Sequence, residues 1–291
     1  MKRLFTTLCL EISSMCNRKC QFCPVAYNHR PDEQMDEILL DKALRELSVL
    51  NYRGRIEFYI YNEPCRDMPW LLHCLKVARA AVPRACLMIA TNGDYLRGPE
   101  NIMKLYDSGL NQLLIDCYSP GLYEKRLSWL KALPKSVSNG GIYSYASPKT
   151  HTVLMLDRSD PATFGKGIYG LQNRSGQIQP FRPALAEPVK RMCTKPFRLL
   201  NVNWRGDALI CCNDYLAAHS FGNLRNATLA ELWSHPVINE YRRRLYNKER
   251  TAPLCRTCDC MAGVYTWQVE KPSGPFAKKF PGEKSPFVIV R

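Results

Sequence analysis

Three cysteines lie close together near the start of the chain. Cys16, Cys20 and Cys23 fall within the eight-residue segment CNRKCQFC. Three thiolates on so short a loop can bind three irons of one [4Fe–4S] cube, and the fourth iron then has no protein ligand from this loop. An iron with a free position can chelate a substrate or cofactor, whereas a cluster saturated by four cysteines cannot. The spacing therefore predicts a cluster that takes part in chemistry.

A structural zinc loop, or three unrelated cysteines, is the alternative interpretation of this segment. Zinc takes four ligands, often supplied as two CxxC-like pairs. No fourth cysteine or histidine lies nearby in a matching position. The iron–sulfur interpretation is therefore favoured.

A second set of four cysteines lies in the last hundred residues: Cys193, Cys211, Cys255 and Cys258. The first two flank a predicted hairpin, and the other two form a CxxC pair after a predicted helix. Four thiolates would saturate a second [4Fe–4S] cube, which would move electrons rather than bind substrate at iron. A structural zinc site fits the same residues, and the presence of the first set favours iron.

The elements that must position these residues alternate along the first half of the chain. Apolar patterns predict strands at 4–12, 55–61, 87–91, 112–117, near 141–143 and at 152–157, and helices at 35–50, 70–82, 101–107 and 121–133. Such alternation implies parallel βα units. About six units precede residue 160, too few for an eight-fold barrel. We therefore predict an α/β fold, a partial (β/α)₆ TIM barrel with its site at the carboxyl ends of the strands.

The domain organisation changes where glycine and proline accumulate. We predict a barrel domain at 1–160, a connecting segment at 161–192, and an auxiliary-cluster domain with the C-terminal tail at 193–291. In the last domain, strands at 197–203 and 207–211 flank a turn that contains Gly206, which predicts a hairpin. A single amphipathic helix is predicted at 229–246.

The composition limits the classes of protein. Hydrophobic residues make up 46% of the 291 residues, enough for a full core, and no run of 18 apolar residues could span a membrane. The fourteen cysteines cluster in metal-ligand spacings in a chain without an export signal, which predicts a reducing cytoplasm rather than a disulfide scaffold. The formal net charge of +15 could attract nucleic acid, an anionic substrate or an acidic reductase. No RNA-binding module accompanies the charge, so nucleic acid is not the predicted partner.

The chain resembles the radical S-adenosylmethionine (SAM) superfamily, in the branch with a SPASM domain or its shortened form, the twitch domain. Within that branch it resembles the family of 2-deoxy-scyllo-inosamine dehydrogenase and related carbohydrate epimerases of antibiotic biosynthesis. Besides the two cysteine sets, the likeness is carried by short segments at 15–18, 61–64, 91–94, 156–160, 173–176, 221–224 and 255–258. The cysteine motifs are specific, and the other segments are persuasive together.

The resemblance implies two [4Fe–4S] clusters and SAM as cofactors. In the family, the open iron holds the amino and carboxylate groups of SAM, and an electron from the cluster cleaves the sulfonium to a 5′-deoxyadenosyl radical. Cys16, Cys20 and Cys23 would hold this cluster. Phe22 would lie over the adenine, and Glu63 with its neighbouring backbone would receive the SAM ammonium.

Further site residues follow from the same resemblance. Asn62 stands where the family has a glycine. The remaining implied contacts to SAM or substrate are Thr91, Asn92, Ser119, Asn173 and Arg174. The alternatives are an exposed loop acid for Glu63, a helix N-cap for Ser119 and a surface position for Arg174.

A cysteine could end the radical reaction. A thiol S–H bond is weaker than the C–H bond of a carbinol carbon, so a positioned thiol can give a hydrogen atom to a substrate radical. The resembled epimerases use a cysteine in this way, and a donor opposite the 5′-deoxyadenosyl group would invert the stereocentre. Cys260 is the predicted donor and Cys212 the second choice. Each could instead be a spare thiol, and Cys212 could replace Cys211 as a ligand.

The sequence thus predicts a radical SAM epimerase that acts on a sugar or aminocyclitol in antibiotic biosynthesis. The alternatives are a radical SAM dehydrogenase that forms a ketone, a peptide-modifying SPASM-type maturase, and a non-catalytic iron–sulfur protein. The basic charge favours a neutral or anionic sugar over a polycationic one. A flavodoxin or ferredoxin would supply electrons.

Overall fold

The computed structural model of the chain describes residues 4–134, 137–139, 151–159, 172–179 and 181–260. Its strands are β1 (Thr7–Leu10), β2 (Arg55–Glu57), β3 (Cys86–Thr91), β4 (Gln112–Cys117), β5 (Val137–Asn139), β6 (His151–Asp157), β7 (Leu199–Val202), β8 (Asp207–Leu209) and β9 (Ser220–Asn223). Its helices are α1 (Glu37–Val49), α2 (Met68–Ala81), α3 (Pro99–Asp107), α4 (Leu122–Ala132), α5 (Leu229–Ser234), α6 (Pro236–Tyr246) and α7 (Pro253–Arg256).

The described strands form one open sheet in the order β5-β6-β4-β3-β2-β1-β7-β8-β9. All pairs from β5 to β7 are parallel, and β7, β8 and β9 pair antiparallel. The sheet ends at β5 and β9 without closing on itself. The prediction of a partial barrel followed by a hairpin is confirmed.

The helices follow from apolar periodicity and from capping. In α1, the buried side chains Leu40, Leu44 and Leu47 recur at helix spacing, and Asp36 caps the helix by accepting a hydrogen bond from the Ile38 amide. The same buried cluster contains residues of the parallel strands and of α5. One hydrophobic core therefore supports both halves of the sheet. No described helix has the length and apolarity to cross a membrane.

Two features of the second half differ from the prediction. The single helix predicted at 229–246 is wrong, because His235 is extended (ψ 139°) and the chain breaks into α5 and α6. Pro236 has no amide hydrogen to continue α5, but it suits the first position of α6. A third antiparallel strand, β9, was not predicted.

The turn and the fifth strand complete the comparison with the prediction. Gly206 has a φ of +87° in the turn between β7 and β8, as a tight hairpin turn requires. The strand predicted near 141–143 lies outside the described residues, and β5 is observed just before it. The domain division at 161–192 stays a prediction.

Candidate functional site

The first three cysteines lie on a loop at the carboxyl end of β1. A β-bridge between Ser13 and Gln34 closes the loop at its base. We call residues 14–33 the cysteine loop. Burial raises the pKa of Cys16 to about 11 and that of Cys20 to about 12, so both thiols are protonated at neutral pH. Binding of a metal would release these protons. Three thiols on one loop fit the proposed cluster.

The cysteine loop is fastened to the turn that follows β3. Nε of Arg18 donates to Asp94 at 2.6 Å, and Nδ2 of Asn17 donates to the same carboxylate at 2.9 Å. Nδ2 of Asn92 donates to Oδ1 of Asn17 at 2.9 Å. The ends of β1 and β3 are therefore held together through polar side chains that flank Cys16 and Cys20.

Glu63 is buried beneath this turn, so the alternative of an exposed loop acid is wrong. Its carboxylate accepts hydrogen bonds from the amides of Cys65 (3.0 Å) and Asn92 (2.7 Å) and from the hydroxyl of Thr91. Burial raises the pKa of Glu63, while these three hydrogen bonds lower it. The structure thus brings Glu63, Thr91 and Asn92 together, and their contacts to SAM stay predictions.

Asn62 turns back onto its own strand. Its Oδ1 accepts from the amide of Ile60 at 3.1 Å, and it is not among the described residues with positive φ. The replacement of a glycine by Asn62 therefore introduces no left-handed backbone.

Phe22 and Ser119 lie on the side of the cysteine loop that faces β4. The ring of Phe22 is 5.1 Å from that of Tyr118, and Ser119 Oγ accepts from Arg18 at 3.5 Å. The N-cap of α4 is Gly121, so the alternative capping role of Ser119 is wrong. Both residues lie near the cysteine loop, where an adenosyl group was expected.

The second cysteine set packs beside α6. Cys193 and Cys258 are buried in one small cluster with Leu245, Cys255 packs against it, and Cys211 is near enough to Cys193 for their charges to interact. No three His, Cys, Asp or Glu side chains in the described ranges converge on a point suited to a single metal ion. A [4Fe–4S] cube holds each cysteine on a different iron, so four thiols are a donor set that fits such a cluster.

Cys260 belongs to this same group of thiols. It is buried in one cluster with Cys193 and Cys258, and its amide donates to Sγ of Cys258 at 3.4 Å. The predicted hydrogen donor therefore lies among the predicted cluster ligands.

Cys212 faces a different environment. Its thiol pairs with Cys211 and accepts from Nζ of Lys195 at 3.4 Å. Cys212 lies close enough to Tyr61 and Arg174 to affect the pKa of each. Tyr61 lies beyond the carboxyl end of β2, and Arg174 lies in the segment before the second set. Of the two candidate donors, Cys212 is therefore the one beside residues from the barrel.

Tyr61 and Arg174 lie between the two cysteine sets. The Arg174 guanidinium is 5.9 Å from the ring centre of Tyr61, and the charges of Cys23 and Cys212 act on both residues. The Tyr61 hydroxyl and Nε of Arg174 are buried without a hydrogen-bond partner in the described residues. Burial raises the pKa of Tyr61, so the phenol stays neutral. Such unpartnered polar atoms are suited to receive a polar ligand.

The predicted contact of Asn173 to SAM or substrate is wrong, because its side chain is fully used within the protein. Nδ2 donates to the carbonyls of Pro183 (3.0 Å) and Thr257 (2.7 Å), and Oδ1 accepts from the amides of Ser175 (3.1 Å) and Asp259 (3.2 Å). All four hydrogen-bonding positions of the amide are occupied. Asn173 instead fixes the segment with Arg174 to the CxxC turn.

Sequence reasoning missed a buried ion pair beside the site. Arg30 donates to Glu11 at 2.8 and 3.1 Å, and Glu11 also accepts from the amide of Tyr61 at 2.9 Å. The guanidinium lies over the rings of Trp204 (4.4 Å) and Tyr215 (4.1 Å). The signal in the sequence is Glu11, a charged residue near the end of an apolar strand.

The comparisons with known proteins agree with this arrangement. Residues 193–259 match the SPASM family, described as an iron–sulfur cluster-binding domain. The chain is 26% identical over 264 residues to an S-adenosyl-L-methionine-dependent 2-deoxy-scyllo-inosamine dehydrogenase from Niallia circulans, which covers 89% of this chain and 94% of the relative.

Solved structures extend the likeness to the fold. The crystal structure of BtrN in complex with AdoMet and 2-DOIA matches with a TM-score of 0.72 and 25% identity, over 90% of this chain and 95% of that chain. The structure of anSMEcpe with bound AdoMet, at 13% identity, shares the fold with a TM-score of 0.54, over 86% of this chain and 84% of that one.

These findings confirm the predicted cofactors, SAM and two [4Fe–4S] clusters. The roles of individual residues stay predictions. The two cysteine sets, the open barrel and these likenesses together show that the chain resembles radical SAM enzymes of the SPASM type, among them the dehydrogenase from Niallia circulans.

Proposed function

We propose that the chain is a radical SAM dehydrogenase that oxidises a secondary alcohol of an aminocyclitol or related sugar to a ketone. The observation that carries the proposal is the likeness to a 2-deoxy-scyllo-inosamine dehydrogenase: the two sequences are 26% identical, and the match covers 94% of the length of that relative. This choice replaces the predicted epimerase, for which the relatives give no support. The likeness of the fold to a structure that contains 2-DOIA supports the same substrate class.

The residue assignments form part of the proposal. Cys16, Cys20 and Cys23 bind the cluster that holds SAM, and Glu63 receives the SAM ammonium. Phe22, Thr91, Asn92 and Ser119 line the SAM site. The second set, Cys193, Cys211, Cys255 and Cys258, binds the auxiliary cluster within a domain that begins at 193.

The reaction requires the loss of one hydrogen atom, one proton and one electron from the alcohol. When bound, SAM and the two clusters would supply the 5′-deoxyadenosyl radical and an acceptor for the electron. Arg174 offers N–H groups to the substrate oxygen and stabilises negative charge there as the hydroxyl proton leaves. The Tyr61 hydroxyl donates to a second polar group of the substrate, which fixes its orientation.

Epimerisation is the second candidate, because a thiol lies beside the same residues. Cys212 is near enough to both Tyr61 and Arg174 to affect their pKa values. A hydrogen atom from its thiol would return the substrate radical to an alcohol with the opposite configuration. Both reactions begin with the same hydrogen abstraction and differ only in how the radical ends.

The products distinguish the two reactions. The reconstituted enzyme is incubated without oxygen in D₂O with SAM, a reductant and 2-deoxy-scyllo-inosamine or another aminocyclitol. The proposal predicts 5′-deoxyadenosine together with a product two mass units lighter that carries no deuterium on carbon. A stereoisomer with one carbon-bound deuterium would instead support epimerisation. The triple variant C16A/C20A/C23A is the control and should form neither product.

A further inference from the structure

Lys195 lies beside the second cysteine set. It begins a short 3₁₀ turn, Lys195–Phe197, that leads into β7, and it follows Cys193 by two residues. Its Nζ donates to Oε1 of Gln172 at 3.3 Å and to Sγ of Cys212 at 3.4 Å. The residue is partly buried.

The ammonium has no carboxylate partner in the described part of the chain. Its two hydrogen-bond acceptors are a neutral amide and a sulfur. The ionisable groups with the largest electrostatic effect on it are four cysteines: Cys212, Cys260, Cys211 and Cys193. Removing an ammonium from water is costly unless negative charge lies nearby. The structure thus places a cation where only thiolates could balance it.

We infer that Lys195 is the counter-charge of the auxiliary cluster and raises its reduction potential. The inference rests on the auxiliary cluster of the proposed function. Four thiolates around a [4Fe–4S]²⁺ core sum to a charge of roughly −2, and reduction adds one more negative charge. A fixed positive charge beside the cluster stabilises the more negative, reduced state more than the oxidised state.

A raised reduction potential favours electron transfer to the auxiliary cluster. Net charge, hydrogen bonds to sulfur and solvent exposure set the potential of an iron–sulfur cluster. Lys195 supplies one of these, a positive charge, and its N–H donates to Sγ of Cys212, the residue after the ligand Cys211. The cluster is thereby suited to accept the electron that leaves the substrate.

The test measures the potential directly, without substrate. The full-length C16A/C20A/C23A chain is reconstituted without oxygen so that the auxiliary cluster is the one observed. Lys195→Met, Lys195→Arg and Lys76→Met are made in this background, and each is titrated with EPR detection of the reduced cluster. Lys76 is an exposed lysine of α2 and controls for the loss of one net charge.

The expected result is a shift to lower potential in Lys195→Met alone. At a fixed poise, the ratio of reduced to oxidised cluster should fall about tenfold, which is about 59 mV for one electron. Lys195→Arg keeps the charge and should titrate like the parent. An unmoved potential in Lys195→Met, at full iron content, overturns the inference, as does a potential that falls equally in Lys195→Arg.

The test separates this inference from the proposed function. If the background chain binds no cluster at all, both the auxiliary cluster and the role of Lys195 are overturned. If the potential shifts as expected but the intact enzyme forms no ketone, the dehydrogenase proposal fails and the role of Lys195 stands.

Discussion

The guanidinium of Arg18 binds the carboxylate of Asp94 through two hydrogen bonds, Nε to Oδ2 at 2.6 Å and Nη2 to Oδ1 at 2.7 Å. Arg18 lies between two of the cysteines of the cysteine loop, and Asp94 lies in the turn after β3. Arg126 of α4 adds a contact to the same carboxylate at 3.5 Å. The position of the cysteine loop therefore depends on a turn that is far away in the sequence.

Replacing Asp94 should loosen the cysteine loop. Asp94→Asn removes a two-pronged, charge-assisted contact, and we expect a loss of about 1–3 kcal/mol in the free energy of unfolding at neutral pH. Burial works against ionisation of Asp94, but the hydrogen bonds from Arg18 and Asn17 bring its pKa below 3.8. The advantage of Asp over Asn is thus present above that value and disappears as the pH falls through the lowered pKa.

Chemical denaturation of the reconstituted chain at several pH values measures this effect. Asp41→Asn is the matched control, since Asp41 pairs with Arg45 on the exposed surface of α1, and we expect it to change little. Equal losses in the two variants would contradict the structural role of the Arg18–Asp94 contact.

Glu63 should control the affinity for SAM. Glu63→Gln removes the negative charge that attracts the SAM ammonium, and we expect the dissociation constant to rise by about tenfold or more. Burial raises the pKa of Glu63 above 4.5. As the pH falls toward the raised pKa, the carboxylate becomes neutral, so the parent should lose SAM affinity in mildly acidic solution while the Gln variant shows no such change.

Equilibrium dialysis of SAM between about pH 5 and 8 checks this prediction. Glu37→Gln, at an exposed position on α1, is the control for the same chemical change. An unchanged SAM affinity in Glu63→Gln, with the cluster intact, would leave Glu63 only its structural contacts to Thr91 and Asn92.

The buried pair Arg30–Glu11 should be a large contributor to stability. Arg30→Met keeps the apolar stem but leaves Glu11 charged and buried, and we expect a loss of about 3–5 kcal/mol. Arg205 also lies over Trp204, at 5.3 Å, but it is exposed and pairs with the exposed Glu33. Arg205→Met should therefore change the unfolding midpoint far less, and urea denaturation of both variants decides between the two expectations.

The candidate hydrogen donors can be separated by substitution. If the enzyme is a dehydrogenase, Cys212→Ala and Cys260→Ala should both still form the ketone, because neither thiol donates a hydrogen atom in that reaction. Cys74→Ala, a buried thiol of α2, controls for the loss of a sulfur. Mass spectrometry and chiral chromatography of the products measure the outcome. A deuterated epimer that vanishes in one variant alone would assign that cysteine as the donor of an epimerase.

The fold was largely predictable because its strands and helices carry distinct apolar periods. β4 was predicted at its observed bounds, since Leu113, Leu114 and Ile115 form the short apolar run that is typical of a buried parallel strand. The strand β9 has the sequence SFGN, with a glycine and two small polar residues, and gives no such signal. Pro236 marks the break between α5 and α6 in the sequence, but the amphipathic pattern on both sides of it resembles that of one continuous helix.

The site was predictable only in part, for a physical reason. Cysteine spacing within one loop is a local property, so Cys16, Cys20 and Cys23 could be grouped from the sequence alone. The partners of Glu63, Asn173 and Lys195 are brought together by tertiary folding, and no local pattern reports them.

The parallel pairing of β1 with β7 has a consequence for how such a protein can be divided. Every residue of β1 pairs on one side with the hairpin that leads to the second cysteine set. In a fragment that ended before β7, β1 would be an edge strand, with unpaired amide and carbonyl groups that could pair with another copy of the fragment. Removal of the SPASM-matching part would therefore expose β1, the strand that leads into the cysteine loop, to edge-to-edge pairing with another copy of the chain.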